Sequence, residues 1–82
     1  MSALNLAVTD WSGSQRADLM EVPRDTTVGE LLAEVKEALH LPPRTPYELI
    51  HNGRNLGRGL TLEEVGIEDG EEVTVAPEVS AG

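Results

Sequence analysis

TTVGELLAEVKEALHLPP, residues 26–43, decides how the rest of the chain is to be read. Thr27 stands three residues ahead of Glu30, the spacing at which a threonine hydroxyl and a glutamate carboxylate satisfy each other's backbone amides at a helix start. Val28, Leu31, Leu32, Val35, Ala38 and Leu39 then recur at helical spacing, and Glu30, Glu34, Glu37 and Lys36 fall on the other side. Pro42 and Pro43 have no amide hydrogen to donate, so the helix ends near His40.

Outward from this helix the pattern changes from helical to period-two. Toward the N-terminus, Leu4, Leu6 and Val8 alternate with Asn5, Ala7 and Thr9, as in a strand with one buried face. Residues 10–14 (DWSGS) are turn chemistry, and residues 17–22 resume as a second strand. Its alternation predicts Met20 and Val22 on one face, Leu19 and Glu21 on the other. Toward the C-terminus, residues 47–51 read as a short strand that reverses at Asn52-Gly53, a pair tolerant of positive φ. Thr61 and Glu64 repeat the capping pattern ahead of Val65 and Ile67, and Asp69-Gly70 is another turn. Residues 72–76 alternate around Val73 and Val75, and Pro77 removes the next ladder donor.

Composition narrows the function. Eighty-two residues close one core only, and 39% apolar residues are enough to fill it. With no Cys there are no disulfides and no thiolate metal site, which points to a reducing, cytoplasmic setting. No basic, apolar leader and no run of membrane-spanning length occurs, so no membrane association is expected. Fifteen acidic residues against six basic ones give a net charge of -9, which repels phosphate backbones and steers toward basic protein surfaces. One Trp, one Tyr and no Phe leave no platform for stacked bases, so no nucleic acid is expected as a partner.

The order strand, strand, helix, strand, short helical turn, strand, together with residues 26–43 and ELIHNGRNLGRGLTLEEVGIEDGEEVTV (48–75), resembles the ubiquitin-like family. The resemblance implies an α+β fold, the ubiquitin-like β-grasp, with a mixed four- to five-stranded sheet packed on one main helix. From residue 27 to residue 82 the chain can be laid against ubiquitin without a gap, and the first hairpin loop is about two residues longer. The implied organisation is a domain over 1–77 and a flexible tail over 78–82.

The same resemblance implies the site. Ubiquitin docks its partners through an apolar patch on the sheet; Ile50 matches the central isoleucine, Trp11 the hairpin-loop leucine, and Thr74 and Ala76 the last-strand members. Trp11 is either an exposed anchor beside Ile50 or a lid on the end of the barrel. Conjugated members end in Gly-Gly, whose carboxylate is adenylated and passed through a thioester to an amine. Here Val79, Ser80 and Ala81 form the tail for recognition and Gly82 is the conjugated residue, with Ala81 replacing the penultimate glycine. Glu48 and Glu78 stand where ubiquitin has arginines read by its activating enzyme, so the eukaryotic ubiquitin machinery is not expected to engage the chain, and its divergence and scarcity of lysines imply a prokaryotic type. Arg54 occupies the place of a chain-forming lysine, leaving Lys36, the sole lysine, as the possible side-chain acceptor.

The partners implied are activating and conjugating enzymes and target proteins, with the domain itself a monomer. Two alternatives stay open: a ubiquitin-fold binding module that is never conjugated, as in type VII secretion accessory proteins, and a sulfur carrier. No catalytic residue, cofactor or metal is expected, so the chain is not read as an enzyme. His40 and His51 lack the partners of a triad or metal pair, and the acidic residues between 63 and 72 lack a calcium-loop pattern. No glycine-rich phosphate loop occurs either.

Overall fold

The computed structural model describes residues 3–78. Its strands are β1 (Ala3–Asp10), β2 (Arg16–Pro23), β3 (Tyr47–His51), β4 (Arg54–Asn55) and β5 (Glu72–Pro77), with helices α1 (Val28–Ala38) and α2 (Leu62–Val65) between them. One five-stranded sheet has the order β2-β1-β5-β3-β4. β1 and β5 run parallel at its centre, and every other pair is antiparallel. This is the ubiquitin-like β-grasp, a mixed sheet wrapped over one main helix.

Both helix starts follow from their capping residues. Thr27 Oγ1 accepts from Glu30 N at 3.2 Å while Glu30 Oε1 accepts from Thr27 N at 2.9 Å. Thr61 and Glu64 repeat the box at 3.1 and 2.9 Å. The two caps are joined across the molecule, because Val28 N donates to Leu60 O at 2.8 Å and Leu62 N to Thr26 O at 2.9 Å. Amides that a helix start leaves unpaired are thereby satisfied by a distant loop.

α1 is capped by Leu39, next to the expected end near His40, and closes in a left-handed turn. His40 has φ 54°, His40 N donates to Glu37 O at 3.2 Å and Leu41 N to Lys36 O at 2.9 Å. That pair of bonds is the closing motif in which glycine usually takes the left-handed position. Leu41 then turns back into the core.

The core is the layer between α1 and the sheet. Leu31 and Val35 from the helix meet Leu4, Leu6, Val8, Leu49, Val73 and Val75 from the strands, and Leu62 and Ile67 close one end.

One expectation about β2 is corrected. Leu4 pairs with Val22 but Leu6 pairs with Leu19, so β2 carries an extra residue between them. Glu21 adopts φ 55° and its N–H donates to Asn5 Oδ1 at 3.1 Å, which holds this bulge open. The inserted residue reverses the alternation. Val22 and Met20 are expected to share a face, but Val22 faces inward with Leu19 and Ala17, and Met20 is 67% exposed.

Candidate functional site

The outer face of the sheet is built from the residues that alternate with the core set. In β1 these are Ala7 and Thr9, in β3 Ile50, in β5 Thr74 and Ala76, all half-buried. Register sets them side by side: Thr9 opposes Thr74, and Thr74 opposes Ile50. Ala76 opposes Glu48 one pleat further along. The structure therefore brings together Ile50, Thr74 and Ala76, three of the four residues expected in the docking patch.

Trp11, the fourth, projects from the β1–β2 turn. Its ring centroid lies 6.1 Å from that of Tyr47 at a tilt of 33°, and Tyr47 faces the core with 2% exposure. The indole is nonetheless 52% exposed. It thus leans on the open end of the core layer while keeping one side in water, combining features of the two sequence readings.

The turn that carries Trp11 is organised by the Asp10 carboxylate. Asp10 is buried, and its oxygens accept from Ser12 Oγ at 3.0 and 3.1 Å, Ser14 N at 3.0 Å, Ser14 Oγ at 3.3 Å and Gln15 N at 3.4 Å. Burial alone would raise its pKa, but the hydrogen bonds from Ser12, Gln15, Ser14 and Gly13 together outweigh that and hold it below its ordinary value. The Ser and Gly residues that look like loose turn chemistry are thus the ligands of one carboxylate.

A second cluster lies where β5 ends. Arg58 Nη2 donates to Tyr47 O at 2.8 Å and forms an ion pair with Glu78. Glu78 N donates to Pro46 O at 3.0 Å. Glu78, the first residue of the expected tail, is thereby tied to the body of the domain. Arg58 carries no local sequence signal for this role, because its partners lie 11 and 20 residues away. The expected tail residues Val79, Ser80, Ala81 and Gly82 lie outside the described residues.

Lys36, the candidate acceptor, is half-buried on α1. Its Nζ is 3.5 Å from Pro43 O and 5.9 Å from the centre of the Tyr47 ring. His40 is exposed, whereas His51 is buried and its Nε2 lies 3.2 Å from Glu71 Oε1, without the alignment of a hydrogen bond. The Glu68 backbone N–H and the approach of His51 hold the Glu71 pKa below its ordinary value against a smaller opposing effect of burial. Among the described residues no three His, Asp or Glu side chains converge as a metal site, and no helix is long and apolar enough to cross a membrane.

The comparisons with known proteins agree with this geometry. The model of the family described as ubiquitin-2 like Rad60 SUMO-like matches residues 4–76. The chain belongs to this family. Among solved structures, this Rad60 SUMO-like chain is similar to the ubiquitin of Caldiarchaeum subterraneum, at 28% identity and a TM-score of 0.81, over 99% of this chain and 100% of that one. It is also similar to the UBL domain of Plasmodium falciparum Dsk2, at 19% identity and a TM-score of 0.80, over 94% of this chain and 100% of that one. A third similar chain, solved in work on molecular mimicry of SUMO that promotes DNA repair, shares 21% identity at a TM-score of 0.79, over 92% and 91% of the two chains. No curated protein matches the Rad60 SUMO-like chain in sequence. Family and fold together make it a ubiquitin-like modifier or protein-binding module.

Proposed function

We propose that the chain is a ubiquitin-like protein modifier of prokaryotic type, acting in the cytoplasm and joined to target amines through Gly82. The observation that carries this reading is the likeness to an archaeal ubiquitin over practically the full length of both chains. In the proposed sequence the Gly82 carboxylate attacks the α-phosphate of ATP and pyrophosphate leaves. A thiol of the partner enzyme then displaces AMP, and the target amine displaces the thiol, leaving an amide. Glycine suits this chemistry, since no side chain crowds the carbonyl carbon. Val79, Ser80 and Ala81 are the segment threaded into the partner's site, and the outer sheet face with Ile50 at its centre is the docking surface, with Trp11 beside the open end of the core. Lys36, the only side-chain amine, must leave Pro43 O and the Tyr47 ring before it accepts a second copy.

A second reading, a binding module that is never conjugated, is favoured by one observation: Ala81 replaces the penultimate glycine. The deciding experiment incubates the full chain with ATP and an adenylating enzyme encoded beside it, followed by mass spectrometry of Gly82. A Gly82 adenylate, thioester or isopeptide product is the expected result. Absence of any adduct, with activity in cells unchanged after deletion of Ala81 and Gly82, overturns the modifier reading and leaves the module.

A further inference from the structure

We propose that Arg58 is a positioning residue for the transfer of Gly82. Its guanidinium pins the point at which the tail leaves the domain, so that residues 79–82 alone span from the body to the partner's active centre. The role in transfer rests on the reading of Gly82 given above; the clamp itself does not.

The base of the clamp is fixed by backbone. Gly29 N, one of the amides left open at the start of α1, donates to Arg58 O at 3.1 Å, and the neighbouring Val28 N donates to Leu60 O at 2.8 Å. From this base the side chain reaches the place where β3 begins and β5 ends. Arg58 Nη2 carries two hydrogens; one goes to Tyr47 O at 2.8 Å and the other to the Glu78 carboxylate. Glu78 is also held through its own N–H, which donates to Pro46 O at 3.0 Å, one step beyond Tyr47 and Pro77, the last pair of the β3–β5 ladder. A single guanidinium nitrogen thus joins the first residue of β3 to the first residue after β5. The rigid fork of arginine suits two acceptors in fixed directions better than the point charge of lysine does.

Charge decides what Glu78 does without this partner. A carboxylate at the base of the tail is repelled by a molecule of net charge -9. Both side chains are about half exposed, so the ion pair alone is weak and sensitive to salt. Combined with the bonds to Tyr47 O and Pro46 O, it holds the side chain and the main chain of residue 78 together. Residues 79–82, fully extended, reach about 13 Å. The partner's catalytic centre therefore works within that distance of the Tyr47–Arg58 corner and has only those residues to order. Releasing Glu78 lengthens the segment that binding must order, which weakens binding and leaves the chemistry at the Gly82 carboxylate untouched.

The test compares the full chain with Arg58→Ala, Glu78→Ala and the double variant. Arg58→Ala keeps the bond from Gly29 N, which uses backbone, and circular dichroism checks the fold. The first readout is amide hydrogen exchange at residue 78, corrected for the intrinsic rate of each sequence. Exchange is expected to be about three- to tenfold faster in Arg58→Ala, the change carried by one exposed ion pair and one carbonyl bond. It should be accelerated less in Glu78→Ala, and no further in the double variant than in Arg58→Ala. Raising salt from about 50 mM to about 500 mM should accelerate exchange in the parent and leave Arg58→Ala nearly unchanged. The second readout is adenylation of Gly82 by the adenylating enzyme encoded beside the chain, where Arg58→Ala should raise KM severalfold and leave kcat unchanged. Equal exchange at residue 78 in the parent and Arg58→Ala, or additive effects in the double variant, overturns the clamp. Accelerated exchange with KM unchanged, or with the loss falling on kcat, overturns the positioning role. Absence of any Gly82 adduct in the parent removes that role together with the modifier reading, and the exchange data still decide the clamp.

Discussion

The two faces of the sheet are made by alternate residues of the same strands, yet they obey different constraints. Leu4, Leu6, Val8, Leu49, Val73 and Val75 point inward and expose 2% or less of their surface. Ala7, Thr9, Ile50, Thr74 and Ala76 point outward and are half-buried. Inward positions are fixed by volume, because a close-packed layer between sheet and helix leaves no room for a different shape. Outward positions are free of that demand, so an isoleucine among threonines and alanines there has to be explained by what lies against it.

Leu49 and Ile50 sharpen this contrast most, being neighbours on β3 with opposite directions. Leu49→Ala is expected to cost about 2–5 kcal/mol of stability, the range for truncating a fully buried leucine. Ile50→Ala should cost only about 1 kcal/mol, since part of its surface already lies in water. Urea unfolding of the two variants measures both. Equal losses would make the outer face a part of the core and remove the reason to regard it as a docking surface.

A smaller effect tests the same division on β2, where the bulge shifts the alternation. Leu19 packs against the core and Met20 does not. Leu19→Ser should therefore destabilise by about 1–2 kcal/mol, and Met20→Ser should stay within about 0.5 kcal/mol. The opposite ranking, in the same unfolding assay, would restore the unbroken alternation and dissolve the bulge.

These residues also show how far the sequence alone reaches. The capping boxes at Thr27 and Thr61, the alternation of β1 and the Asn52-Gly53 reversal are local patterns, each contained within a few residues, and all are present in the structure. Ile50 and Thr74 were placed on one surface by resemblance, and strand register sets them opposite one another. The β2 bulge is not legible, because residues 17–22 also read as an unbroken alternation and the inserted residue is held by Asn5, sixteen positions away. The same holds for the Trp11–Tyr47 contact and for Arg58, whose significance depends on segments that meet only after folding.

The smallest effect concerns Asp10, a charged group on the buried side of β1 and so an exception to the division between the faces. Its carboxylate is accommodated because the turn surrounds it with hydroxyl and amide donors, and its folded pKa lies below the ordinary value of 3.8. A depressed carboxylate pKa adds stability that is complete above the ordinary value and is lost as pH falls through the folded one. Glu71, also lowered from its ordinary 4.5, contributes in the same direction. The urea midpoint should therefore fall as pH drops from about 5 to about 2. Asp10→Asn should shift the midpoint down at neutral pH and flatten, without abolishing, the acid limb, because Glu71 still titrates. An acid limb as steep in Asp10→Asn as in the parent would mean that the carboxylate's charge contributes nothing to the turn that presents Trp11. Its hydrogen bonds would then act only as neutral geometry, which asparagine reproduces in part.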